Sequence, residues 1–169
     1  MHLIISCSLN KNSKSRIMAK YASNLYDQAT LIDLSTLKIP FCDGDSCYET
    51  PIVEELKNQI LSAKSIIITG PIYNYDLNAV AKNLIELTGR SWTDKVVGFI
   101  CAAGGKGSYM SPLSFMNSLM IDFRCIIIPR FVYADGSSFD QNNNIEDLIK
   151  ERIAELVDTS INLSKAIAK

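Results

Sequence analysis

Short apolar runs of strand length alternate along this chain with longer segments whose apolar residues recur every three or four positions. The runs cover residues 3–6, 29–34, 65–69, 96–102 and 125–128. They carry little internal polar alternation, so they read as strands covered on both faces. Between them, residues 15–28 place Ile17, Met18, Ala22, Leu25 and Tyr26 at helical spacing. Pro51 opens a second helix, where its missing N–H costs nothing, and Val53, Leu56, Ile60 and Leu61 give that helix a buried face. Further helices are expected over 78–87 and 112–122. A long one spans 145–168, marked by Leu148, Ile149, Ile153, Leu156, Val157, Ile161 and Leu163.

Parallel strands joined through helices need crossovers that pack on one face of the sheet or the other. The pattern therefore predicts an α/β protein: a three-layer sandwich around a five-stranded parallel sheet, with the doubly wound order 2-1-3-4-5. No repeat, low-complexity tract or linker divides the chain, so residues 1–169 are expected to form a single domain.

Composition narrows the function more than the fold. With 17 basic and 18 acidic residues the formal charge is -1, which points to neither nucleic acid nor an anionic membrane as partner. No apolar stretch approaches the roughly 20 residues needed to span a bilayer. The first residues lack the charged and apolar regions of a signal peptide. A cytoplasmic protein is expected. Of five cysteines, Cys7, Cys101 and Cys125 fall in or beside strand-like runs and read as small buried hydrophobes. Cys42 and Cys47 share a polar loop, but their spacing is not that of a metal or redox motif, and they read as unpaired thiols. No metal site is expected.

For the order 2-1-3-4-5, ligands bind beyond the carboxyl ends of strands one, three and four. The loops there are the informative ones. The first, Ser6-Cys-Ser-Leu-Asn-Lys-Asn-Ser-Lys-Ser-Arg16, brings hydroxyls and basic side chains to a helix start, a combination that suits an anion. Neither a nucleoside-triphosphate loop nor a dinucleotide G-x-G-x-x-G is present. The plainer alternative is a polar loop in which Ser13 merely caps a helix. In the second, Gly70-Pro-Ile-Tyr-Asn-Tyr-Asp76, glycine and proline are expected to end the strand, and Tyr73 or Tyr75 offers a flat wall for a planar ring. The third, Ala102-Ala-Gly-Gly-Lys-Gly-Ser108, has three glycines in four residues, which lets a ligand approach the backbone.

Taken together these loops resemble those of the NAD(P)H-dependent FMN reductases of flavodoxin-like fold, a family that includes chromate, azo and quinone reductases. That family carries G-S-x-R-x-x-S-x-N after strand one; here Ser8 and Ser13 match, while Cys7, Asn10 and Ser15 replace its Gly, Arg and Asn. Its P-x-Y-N is intact as Pro71-Ile72-Tyr73-Asn74, and its glycine turn as Gly104-Gly105-Lys106-Gly107. Lys82-Asn83, Trp92 and Lys95 also look familial.

The resemblance implies bound FMN, with its phosphate on Ser8, Asn10, Ser13, Ser15 and Arg16. The ring would lie against Pro71, Ile72, Tyr73, Asn74, Ala103, Gly104, Gly105 and Gly107. It also implies NADPH or NADH as co-substrate, a small acceptor (quinone, azo compound, free flavin or metal oxyanion), and a homodimer or homotetramer. The flavin carries such a reaction, so no catalytic side chain is named: His2, the sole histidine, reads as structural and Asp76 as a surface residue. Two rivals are a flavodoxin-type electron carrier, which the near-zero charge disfavours, and a flavin-less domain of the same fold.

Overall fold

A computed structural model describes residues 1–167; Ala168, in the expected last turn of the C-terminal helix, lies outside the described residues. The strands are β1 (His2–Ser6), β2 (Ala29–Asp33), β3 (Ser65–Tyr73), β4 (Asp76–Leu77), β5 (Val96–Ala102), β6 (Ile126–Ile127) and β7 (Val132–Ala134). The helices are α1 (Lys14–Ser23), α2 (Pro51–Ser62), α3 (Ala79–Thr88), α4 (Leu113–Phe123) and α5 (Asp147–Ala166).

The sheet has the order β2-β1-β3-β5-β6, with β4 added to β3 and β7 to β5. This corrects the expectation of five strands in order 2-1-3-4-5: among the described residues there are seven. Two local causes account for the difference. First, the strand expected at 125–128 is broken by Pro129, which has no N–H to give the ladder. β6 therefore pairs with Val96 and Val97, and the chain returns as β7 beside Ile100–Ala102 at the far end of β5. Second, Gly70 and Pro71 do not end the third strand. β3 runs on to Tyr73 and folds back on β4, with Tyr73 opposite Asp76 and Ile72 opposite Leu77. The proline is tolerated because β1 stops pairing at Thr69, so no neighbouring strand needs an N–H from Pro71 on that side.

Alternate strand residues sort the core into two layers. Leu3, Ile5, Ile66, Ile68, Val97 and Phe99 face α2, α3 and α4, whereas Ile4, Ile67, Val96 and Ile100 face α1 and α5. Gly98 lies on the second side, where a Cβ would come 3.0 Å from Leu156 Cδ1 and 3.3 Å from Ile128 Cδ1. Glycine lets α5 approach the sheet there. Lys95 ties the layers at the opposite end: its ammonium donates to the carbonyls of Leu61 (2.6 Å) and Ala63 (2.9 Å) at the end of α2. Such a cation suits the negative end of a helix. Trp92 is fully buried and donates to Thr88 Oγ1 at 2.7 Å.

At the amino-terminal edge His2 stacks on Tyr26 with ring centroids 4.7 Å apart, and its Nδ1 lies 2.7 Å from Ser65 Oγ. Desolvation, then repulsion from the terminal amine, Lys64 and Lys165, lowers its pKa below 6.5.

Two predictions follow from this packing. Gly98→Val should destabilise the fold by about 1–3 kcal/mol through overpacking against α5, read as a lowered midpoint in denaturant. Because the folded state disfavours charged His2, the unfolded chain binds more protons as pH falls below 6.5. Stability should therefore fall with acidification through that window, and His2→Gln should flatten this part of a Tm-versus-pH profile.

Candidate flavin site

β1, β3 and β5 run parallel, so the loops that follow them open at one edge of the sheet. The first is folded by its own polar groups. Ser8 Oγ accepts from the N–H of Asn10 at 3.3 Å, and Asn10 Oδ1 accepts from the N–H of Asn12 at 2.9 Å. Ser13 is the N-cap of α1, accepting from the N–H of Arg16 at 3.2 Å, and its hydroxyl meets that of Ser15 at 2.9 Å. Ser8, Ser13 and Ser15 are all buried. The plain capping role of Ser13 is thus present, at the helix start where an anion is favoured.

Arg16 braces this loop from behind. Its guanidinium donates to the carbonyls of Ser8 (2.8 Å), Asn10 (3.0 Å) and Lys11 (3.2 Å). Its Nε stands 2.8 Å from Asp33 Oδ2, although the N–H does not point along that line. The charge is opposed by a carboxylate and three donors are spent on backbone carbonyls, so this geometry makes Arg16 a scaffold for the loop. Lys14 lies over the Phe139 ring, 4.9 Å from its centroid. Lys11 remains exposed beside a hollow of about 220 Å3 lined by Asn12, Ser13 and Arg16.

The second loop is the β3–β4 turn. Asn74 and Tyr75 occupy its two central positions with φ of 51° and 63°. These are the left-handed angles of a type I′ hairpin, in which the second position strongly favours glycine. Tyr75 is therefore strained, and it is 73% exposed, so the strain is not repaid by burial. Its hydroxyl reaches toward the third loop, within 3.8 Å of where a Cβ on Gly107 would stand.

In the third loop the glycines do not adopt left-handed angles; among the described glycines only Gly44 and Gly89 do. Their use is space. A Cβ on Gly104 or Gly105 would meet nothing within 4 Å. Tyr133 pins the turn, its hydroxyl donating to the carbonyl of Gly105 and lying 2.7 Å from Ser108 Oγ. Ala103 is held by its N–H to the carbonyl of Ala134 at 2.8 Å.

Ile72, Asn74, Tyr75, Gly105, Gly107 and Ser108 line a cleft of about 320 Å3. The structure thus gathers Ile72, Asn74, Gly105 and Gly107 around one opening, with Ala103 and Gly104 in the same turn. Ser8, Asn10, Ser13, Ser15 and Arg16 form a separate linked group. Pro71 is buried in β3, and Tyr73 is half exposed at its end. Asn78 joins the two groups: its Nδ2 donates to the carbonyl of Cys7 at 2.7 Å and its N–H to that of Pro71 at 3.2 Å. Asn78 Oδ1 is buried and unpartnered.

Two residues that matter here were not legible in the sequence. Asn78 looks like an ordinary helix cap, and Tyr133 lies on a strand that the apolar pattern does not reveal. Asp76 accepts from Ser114 at 3.0 Å, a structural bond to α4. Burial pushes the Cys7 thiol up to about 12, which removes it as a nucleophile near the loops.

These features fit a phosphorylated planar ligand: a capped helix start with hydroxyls for the phosphate, open space over Gly104 and Gly105, and an aromatic residue at the cleft. Comparison with known proteins agrees. The chain matches the NADPH-dependent FMN reductase family over residues 2–140. It is 29% identical over 139 residues to an NADPH:quinone oxidoreductase of Arabidopsis thaliana, covering 77% of this chain and 71% of that protein. It is 26% identical over 154 residues to an NAD(P)H:quinone oxidoreductase of Solanum tuberosum, covering 83% and 79%. In fold it resembles a flavoenzyme NAD(P)H:(acceptor) oxidoreductase from Paracoccus denitrificans, with a TM-score of 0.80 at 18% identity over 97% of this chain and 96% of that one. The FMN complex of an FMN-dependent NADH-azoreductase from Bacillus anthracis gives a TM-score of 0.67 at 14% identity, over 96% and 99%. The chain therefore belongs to the NADPH-dependent FMN reductase family, as an oxidoreductase with FMN for cofactor and NAD(P)H for electron donor.

Proposed function

We propose that this protein passes hydride from NAD(P)H by way of FMN to a small acceptor, with quinones the first class to test because the Arabidopsis thaliana and Solanum tuberosum relatives are named for them. One observation carries the reading: the three loops beyond β1, β3 and β5 converge, and Asn78 bonds the first to the second. FMN, when bound, supplies the hydride chemistry; the side chains bind and orient.

We assign the phosphate to the loop of Ser8, Asn10, Ser13 and Ser15, with the α1 start and Lys11 supplying positive potential. Arg16 contributes by holding the carbonyls of that loop turned inward. Pro71, Ile72, Tyr73 and Asn74 would border the ring on one side, and Ala103, Gly104, Gly105 and Gly107 on the other. Tyr75 would form a movable aromatic wall, since almost nothing packs against it. Residues 1–169 are assigned to one domain acting in the cytoplasm. Among the described residues no helix is long and apolar enough to cross a membrane. A homodimer or homotetramer rests on the family resemblance.

Purified protein reconstituted with FMN should be yellow and should bleach rapidly on anaerobic addition of NADPH or NADH. Colour without bleaching would mark an electron carrier, and no colour with excess FMN would end the proposal. Ser8→Ala with Ser13→Ala should weaken FMN binding at least about tenfold, while loss of the Ser13 cap lowers stability by about 1 kcal/mol. Unchanged affinity in a fluorescence titration would place the phosphate elsewhere. Tyr75→Gly should raise the thermal midpoint, because it relieves about 1 kcal/mol of left-handed strain, and should weaken FMN binding by removing the wall. A gain in stability with unaltered affinity would make Tyr75 dispensable to the flavin.

A further inference from the structure

Away from the cleft, the segment between β2 and α2 carries two thiols that flavin chemistry does not use. Asn83 of α3 pins this segment, donating to the carbonyl of Pro40 and accepting from the N–H of Cys42, both at 2.9 Å. Gly44, with φ of 79°, turns the chain. The Asp43 carboxylate closes the turn, accepting from the N–H groups of Asp45 (2.9 Å) and Cys47 (3.1 Å) and from the Ser46 hydroxyl (3.0 Å). As a result Cys47 is buried with Val53 and Leu87, and half-buried Cys42 packs against the same small cluster. Cys42 Sγ lies 3.3 Å from the Tyr48 hydroxyl. Burial, then hydrogen bonding to Asp43 and contact with the Cys42 thiol, hold the Cys47 thiol above its ordinary value.

We propose that Cys42 and Cys47 form a reversible dithiol–disulfide pair oxidised by a peroxide. Both thiols are free, as the sequence reading has them, but one turn, closed by Asp43, brings the two into one apolar cluster. The bridge closes a loop that is already ordered, so little further chain entropy is lost. Cys42, the more accessible thiol, reacts first. Its sulfur attacks the O–O bond of hydrogen peroxide; an S–O bond forms, the O–O bond breaks and one water leaves, giving a sulfenic acid.

Cys47 sulfur then attacks Cys42 sulfur. The S–S bond forms and the S–O bond breaks. The Cys47 proton goes to the departing oxygen, which leaves as a second water, while Asp43 keeps the turn closed by accepting from the Cys47 backbone N–H at 3.1 Å. Two thiols lose two electrons and two protons, and the peroxide takes them up. Burial of Cys47 keeps the attacking thiol from being oxidised first. None of this depends on FMN being bound.

The test uses the full chain, treated with a small excess of hydrogen peroxide, alkylated with N-ethylmaleimide, digested and mapped by mass spectrometry. The expected product is an intramolecular Cys42–Cys47 bridge, seen as a loss of about 2 Da from the monomer and reversed by dithiothreitol. In Cys47→Ser, dimedone should label Cys42 as the trapped sulfenic acid. Asp43→Asn should slow bridge formation by about tenfold while leaving the first oxidation unchanged. The idea is overturned if both wild-type thiols stay open to alkylation after peroxide, or if Cys42 is found bridged only to a second chain. The wild-type map decides this by itself, whatever the variants do to folding.

Discussion

β3 is the member on which the rest of this structure depends. It is hydrogen-bonded to β1 on one side and β5 on the other, and residues 65–72 are buried along its whole length. A strand sealed in this way has to be apolar on both faces, and its parallel neighbours have to be reached by helical crossovers. Those crossovers cover the two faces of the sheet and leave one edge, the carboxyl ends of β1, β3 and β5, to collect the loops. The binding edge is thus a consequence of parallel pairing, not of anything the loops do alone.

At that edge stability gives way to shape. Tyr75 holds a left-handed conformation without burial, and Asn78 keeps a buried acceptor unpaired, while the glycines of the third turn leave space that a side chain would fill. Each feature is unfavourable or neutral for an empty fold. They occur together where three loops meet. By contrast the amino-terminal edge ties down its polar groups, with His2 on Tyr26 and Lys95 on the end of α2, and its two left-handed residues, Asp94 and Arg124, are ion-paired to each other at 3.1 Å.

Electrostatics at the first loop also take a form that composition does not suggest. The loop contains three cations, but Arg16 faces three carbonyls and Asp33, and Lys14 covers Phe139. The phosphate site proposed there draws on hydroxyls, on the start of α1 and on Lys11, with Arg16 holding the loop backbone through three carbonyls. The family's arginine position is occupied by Asn10, whose side chain shapes the loop by accepting from Asn12.

The sequence by itself determined the layers, the helices and the three loops that matter, because apolar periodicity reports burial and because Pro71–Asn74 and Gly104–Gly107 are local motifs. It did not determine what depends on partners distant along the chain. Whether Gly70–Pro71 ends a strand turns on where β1 stops pairing, and the split of the last strand turns on how Pro129 meets β5. The contacts of Asn78 and Tyr133, and the pinning of Cys42 by Asn83, are likewise matters of contact across the fold. A side chain's chemistry is written in its own residue, but what it touches is decided only when the sheet has closed.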